Sequence, residues 1–186
     1  MTTLTRQSLI IAVLAALMAP AIAKPPPMSK PAAPAPVAQV AVITTAKGII
    51  KVRLFPEEAP VTVANFIKLC KKGFYNGLTF HRVEPTFVVQ GGDPKGDGTG
   101  DPGYAIKNEN NKVLRHNRGA VAMANSGRDT AGSQFYIVLT KPAPHLDEKF
   151  EDNVSKYTIF GQVISGQLIA EKLVVGDKIT KVTIVP

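Results

Sequence analysis

Only one long stretch of this chain carries the apolar period of a helix, and that limits what the rest can form. In "PVTVANFIKLCKKG", Val63, Phe66, Ile67 and Cys70 recur at i, i+3, i+4 and i+7. Pro60 suits the first helical turn and Gly73 the stop, so a helix is expected over Pro60 to Lys72. Cys70 then lies on the buried face and behaves as a small hydrophobe. A short second helix is expected at Gln167 to Leu173. Nearly everything else beyond Gln39 is β-rich. "QVAVITT" and "GIIKVRLF" flank Ala46-Lys47-Gly48, a hairpin signal. Short strand-like runs follow at 79–83, 86–90, 119–124, 135–140 and 158–163, and "KITKVTIV" ends the chain. Eight strands and two helices without βαβ alternation predict a mainly β, antiparallel barrel or sandwich. Closure would remove the exposed edges.

The first 38 residues are of another kind. Arg6 precedes an apolar run from Leu9 to Met18, and Ala21-Ile22-Ala23 supplies a small-x-small cleavage pattern. Residues 1–23 therefore read as a signal peptide; the run is too short for a membrane span of about 20 residues. Residues 24–38, rich in Pro, Ala and Lys, read as an extended linker, and residues 39–186 as one domain. The expected product is exported, most naturally to a periplasm, monomeric, and without stable membrane association after cleavage. A single cysteine excludes an internal disulfide. The net charge of +8 comes with no Lys/Arg block and only 6% aromatic residues. Neither a basic stripe nor a stacking platform for nucleic acid is indicated.

Several kinds of chemistry can be set aside. "GGDPKGDGTGDPG" lacks the GK[ST] ending of a phosphate loop, and Asp93, Asp97 and Asp101 miss the alternate spacing of a calcium loop. The stretch reads as a tight surface loop. His81, His116 and His145 show no metal-ligand spacing. Ser133 is not in a nucleophile elbow. No metal or cofactor is expected.

What remains is "FHRVEPTFVVQGGD", residues 80–93, and "MANSGRDTAGSQFYI", residues 123–137. Strict alternation places Phe80 and Arg82 on one strand face and His81 and Val83 on the other. A guanidinium beside Phe80 and Phe87 either snorkels to water over its stem or serves as a fixed donor facing an apolar pocket. Together the two segments resemble the cyclophilin family of peptidyl-prolyl cis-trans isomerases. The first matches that family's F-H-R-x-x-x-x-F-x-x-Q-G-G-D pattern, the second its M-A-N and G-S-Q-F-[FY] elements. "GFYNGLTFHRV", "IKNE" at 106–109 and "FGQVISG" at 160–166 also fit, and the likeness runs from about residue 40 to the end.

The resemblance implies a closed eight-stranded antiparallel barrel capped by two helices, with the substrate groove on its outer face. It implies catalysis of X-Pro rotation by Arg82, Gln90 and Phe87. Further groove positions fall on Val88, Ala124, Asn125, Gln134, Tyr136, His145, Leu146 and Tyr157. Arg82 is the expected donor to the prolyl nitrogen, strengthened by a dry setting. Phe87, Val88, Tyr136 and Leu146 are the expected seat of the proline ring. Proline-containing polypeptides are the implied partners. A peptide-binding chaperone with little turnover is the alternative. The chain departs from the pattern at His145, where many members carry Trp, and at Val88, Tyr136 and Thr86, where Met, Phe and Gly are usual. Residues 148–156 lengthen a loop. Weak cyclosporin binding at most is expected, because an imidazole offers less area than an indole.

Overall fold

The computed structural model describes residues 39–186; the expected signal peptide and linker lie outside them. Each strand forms where short β-branched and apolar runs alternate between two faces. They are β1 (Val40–Thr45), β2 (Gly48–Leu54), β3 (Phe80–Glu84), β4 (Val88–Gly91), β5 (Ala120–Met123), β6 (Phe135–Val138), β7 (Ile159–Ser165) and β8 (Ile179–Val185). β1 and β2 bury every second residue, as period-two patterning requires. Thr45 faces Gly48 across their hairpin, with Ala46 and Lys47 as the turn. All pairings are antiparallel, in the order β3-β4-β6-β5-β7-β2-β1-β8.

The mainly β class and the eight strands are as expected. Complete closure is not: the sheet is open, and no ladder joins edge strands β3 and β8. Gly77 and Gly176, with φ of 84° and 92°, turn the backbone just before these two strands, and each bonds across the junction: Gly77 N to Ile179 O at 2.7 Å and Gly176 N to Phe80 O at 3.0 Å. The edges are linked by an isolated Thr79–Lys178 bridge and by loop backbone bonds, among them Phe80 N to Asp177 O at 2.8 Å. Those bonds occupy edge groups that would otherwise offer a template for another strand.

The concave side holds the main core. Phe66 of helix α1 (Pro60–Lys71) lies 5.0–5.7 Å, ring to ring, from Tyr75, Phe135 and Phe160. Cys70 is buried on the same helix, and burial pushes its thiol up to about 12. α1 ends one residue before the expected Lys72, which caps it. The second helix, α2 (Gln167–Ala170), is a single turn and stops short of Leu173. A 3-10 turn at Pro144–Asp147 was not anticipated; its Pro-His-Leu-Asp sequence shows no apolar period.

The start of α1 has no cap from its own neighbours. Glu109 supplies one from far along the chain. Its carboxylate accepts from Val61 N (3.0 Å), Thr62 N (2.8 Å) and Thr62 Oγ1 (2.7 Å). This satisfies donors that every helix start leaves open, and places negative charge at the positive end of the dipole. Asp93 plays a similar part for residues 94–100: buried at 1% exposure, it accepts from Lys95 N and Asp97 N at 2.8 and 3.1 Å, and from Gly98 N. Burial alone would raise its pKa, but the N–H groups of Lys95, Gly98, Gly100 and Gly96 hold it below 3.8.

Substitution at Glu109 is one test of these carboxylates, and acid is another. Glu109→Ala should cost about 1–2 kcal/mol, the range of a lost helix cap; an unchanged urea midpoint would show that the cap is not stabilising. The second concerns acid. Burial pushes the imidazoles of His81 and His116 below their ordinary 6.5, in His116 against the pull of Asp147. As pH falls below 6.5 the unfolded chain therefore binds protons that the folded chain refuses, and stability declines. Asp93 adds a second loss as pH falls through 3.8 and below, where its depressed carboxyl protonates. Urea midpoints measured from pH 8 to 3 should start to drop between about pH 6.5 and 5 and drop again below about 4. A flat profile between pH 7 and 5 would contradict the first stage.

Candidate active site

Strict alternation in β3 fails at one residue, and the site follows from that failure. Phe80 pairs with Gly91, yet Arg82 pairs with Gln90, so His81 is an extra residue opposite β4. Such a bulge turns the strand and re-aims the side chain that follows. Phe80 and Arg82 therefore do not share a face. Phe80 is fully buried in the main core and Val83 packs against that core, while Arg82 points outward. Gly91 permits this: a Cβ there would stand 2.9 Å from the Phe80 ring. In the β3–β4 turn Thr86 has φ 70°, the left-handed region where glycine is at home.

From Arg82 the register runs straight across four strands. Arg82 faces Gln90, Gln90 faces Tyr136, and Tyr136 faces Ala122. These residues lie on the convex face, where a second apolar cluster forms from Val88, Ala120, Ala122, Tyr136, Val138 and Ile159. Phe87, Ala124, Leu146 and Tyr157 pack partly buried around it. Val88 and Tyr136, at 2% and 4% exposure, make a floor, and Phe87, Leu146 and Tyr157 rise as walls.

A groove of about 590 Å³ opens over this floor, lined by Arg82, Phe87, Val88, Gln90, Ala124, Asn125, Tyr136, His145, Leu146 and Tyr157. A second hollow of about 380 Å³ shares Gln90, Gly98, Ala124 and Asn125 with it and adds Gln134. All eleven residues singled out from the sequence thus line one connected depression. The His145 ring lies 5.2 Å from that of Phe87.

The polar groups form one chain along the rim. Arg82 Nε donates to Glu84 Oε1 at 2.9 Å, Nη2 pairs with the same oxygen, and Nη1 donates to Gln90 Oε1 at 3.1 Å. Gln90 Nε2 donates to Gln134 Oε1 at 2.9 Å, and Gln134 Nε2 to the carbonyls of Gly98 and Gly100. The loop built by Asp93 thus anchors the far end of a relay that begins at Glu84. Asn125 Nδ2 donates to Lys156 O at 2.8 Å, which fixes the backbone of residues 124–125 on the groove wall.

One expectation needs correction. Arg82 is not in a dry setting: its side chain is 46% exposed, and its Cζ lies 6.0 Å from the centre of the Phe87 ring. Alternation kept Phe80 beside Arg82 in the sequence reading; the bulge removes it. Glu84 was not picked out, although residues 82 and 84 share a strand face, which is the signal that marks it. His116 and Asp147 were also missed. His116 lies under the floor, its Nε2 2.8 Å from the Tyr136 hydroxyl and its Nδ1 2.7 Å from Asp147 Oδ1. Among the described residues no group of three or more His, Cys, Asp or Glu could hold a metal ion.

Known proteins are similar to this chain in sequence and fold. The family model for cyclophilin type peptidyl-prolyl cis-trans isomerase/CLD matches residues 40–185. Peptidyl-prolyl cis-trans isomerase B of Bacillus subtilis is 50% identical over 136 residues, covering 73% of this chain and 90% of that protein. A peptidyl-prolyl cis-trans isomerase of Helicobacter pylori is 47% identical over 145 residues, 76% of this chain and 84% of its own. The crystal structure of a Cryptosporidium parvum cyclophilin type isomerase superposes with a TM-score of 0.70 at 28% identity, over 81% of this chain and 99% of that one. A second structure of that protein, determined in the presence of the dipeptide Ala-Pro, gives a TM-score of 0.68 at 29% identity over 79% of this chain and 99% of that one. With a family model that matches residues 40–185, and with relatives that agree in sequence and fold, this chain belongs to the cyclophilin-type peptidyl-prolyl cis-trans isomerases.

Proposed function

We propose that the protein is exported and accelerates X-Pro rotation in other exported polypeptides, with Arg82 donating to the prolyl nitrogen of the twisted bond. The observation that carries this reading is a guanidinium held by Glu84 and Gln90 at the rim of an apolar seat. Amide resonance sets a barrier of about 18–20 kcal/mol to X-Pro rotation. At its top the nitrogen has lost conjugation and carries a lone pair that the planar forms lack. A donor aimed at that nitrogen binds the twisted state better than either planar state, and only such differential binding lowers a barrier. No bond to nitrogen is made or broken, so the step calls for no nucleophile, metal or cofactor.

Each groove residue has a part. Phe87, Val88, Tyr136 and Leu146 seat the ring. Gln90 orients Arg82 and the substrate carbonyl. Main-chain groups of Ala124 and Asn125 hold the residue before the proline, and Gln134, His145 and Tyr157 bound the peptide's path. In the free protein the guanidinium is wet, so its advantage comes from being aimed beforehand; a peptide lying across the groove would then exclude water from it. A chaperone that binds without turnover has no use for a guanidinium fixed in this way, which disfavours that reading.

Arg82→Ala should lower kcat/KM on an X-Pro peptide by about 100- to 1,000-fold, as for other preorganised donors. Arg82→Lys should recover little, because a flexible ammonium does not reproduce the fork. Melting curves should barely change, since the side chain is exposed. Near-normal turnover by folded Arg82→Ala would refute the mechanism. Export rests on Arg6, the apolar run Leu9 to Met18, and Ala21-Ile22-Ala23. The mass of the mature product should place its first residue at Lys24, and a retained leader in the membrane fraction would refute export.

A further inference from the structure

The 3-10 turn Pro144–Asp147 carries His145 and Leu146 onto the groove wall, yet none of its own residues is buried. What fastens it to the floor is His116, whose ring is enclosed at 1% exposure. Asp147 Oδ1 accepts twice from this residue, from Nδ1 at 2.7 Å and from the backbone N at 3.0 Å. Ala143 N, just before the turn, donates to His116 O at 2.8 Å. On the other side Nε2 lies 2.8 Å from the Tyr136 hydroxyl. The Tyr157 ring stands edge-on to both His116 and Tyr136, at 6.5 and 6.1 Å.

The partners fix the tautomer. A carboxylate only accepts, so Nδ1 carries the hydrogen; the neutral ring then accepts at Nε2 from the tyrosine O–H. Each of the three groups has the role its neighbour needs. A buried histidine that merely satisfied itself would have no reason to join two separate parts of the groove. Here one partner lines the floor and the other adjoins Leu146 of the wall.

We propose that His116 is a positioning residue for catalysis: by bridging Tyr136 of the floor to Asp147 of the turn, it sets the gap between floor and Leu146 wall in which the proline ring is held. This rests on the reading of the groove as the X-Pro site. A correctly spaced seat holds the ring in planar and twisted states alike, so the bridge governs affinity rather than the barrier.

The test compares His116→Phe, Asp147→Ala and Asp147→Asn with the wild type. Binding of an Ala-Pro-containing peptide is read by titration, and turnover on an X-Pro peptide separately. His116→Phe fills the space without bridging, and Asp147→Ala removes the outer anchor. Each should raise Kd and KM by about tenfold, the equivalent of one buried hydrogen bond, with kcat little changed. Asp147→Asn should stay within about twofold, because its amide oxygen still accepts from Nδ1–H. The double variant His116→Phe/Asp147→Ala should be no weaker than the weaker single one, since both act through the same bridge. In NMR spectra the His116 Nδ1 proton should be protected from exchange in the wild type and lose that protection in Asp147→Ala. Folded variants that bind and turn over peptide like the wild type would overturn the proposal. If His116→Phe does not fold, an unchanged Kd in Asp147→Ala is sufficient to do so. A wild type that binds the peptide without isomerising it would refute the role given to Arg82 and leave this test standing.

Discussion

One extra residue in β3 decides what the convex face becomes. With His81 bulged out of register, Phe80 and Val83 remain with the core while Arg82 and Glu84 turn to solvent. Without the bulge, a residue facing the same way as Phe80 would have to lie in the apolar interior, and a guanidinium there would carry a desolvation cost of several kcal/mol. With it, the arginine heads a row of directly opposed residues that the pleat keeps on one side: Gln90, Tyr136, Ala122. Gly91 belongs to the same constraint, because any side chain there would strike Phe80.

The rim and the floor solve different problems. At the rim, polar groups hold one another in a line from Glu84 through Arg82, Gln90 and Gln134 to the carbonyls of Gly98 and Gly100. An exposed ion pair such as Arg82–Glu84 contributes little to stability; its use is to fix direction. Beneath, the apolar floor is closed by a hydrogen-bonded trio: the buried Tyr136 and His116, and the half-buried Asp147. Both arrangements leave the groove preorganised before any peptide arrives, which is where a protein has leverage over a reaction that needs no bond to nitrogen made or broken.

Much of this was legible in the chain. The period-3.6 stripe of Val63, Phe66, Ile67 and Cys70 located α1, and alternation located the strands to within a few residues. The Gly- and Asp-rich stretch after Gln90 was readable as a loop because Asp93 is suited to accepting its backbone N–H groups. The groove set was readable only through two linked motifs; no single residue in it stands out by type. The rest was hidden for physical reasons. A bulge leaves no trace in composition, so alternation placed Phe80 with Arg82. The edges meet through loop backbone bonds, including those of Gly77 and Gly176 at positive φ, which strand propensity does not report. Glu109 and His116 act on partners distant in the chain, at Thr62 and Tyr136, beyond the reach of any local pattern.

The central claim is that Arg82 favours the twisted prolyl bond over the planar one. The direct measurement is a comparison of affinities: wild type and Arg82→Ala, each titrated with a planar Ala-Pro peptide and with an analogue whose prolyl nitrogen is held pyramidal. The account predicts that removing the guanidinium weakens the pyramidal ligand by about 100-fold or more and the planar one by no more than a few-fold. Equal losses for both ligands would contradict it and make Arg82 an ordinary binding residue.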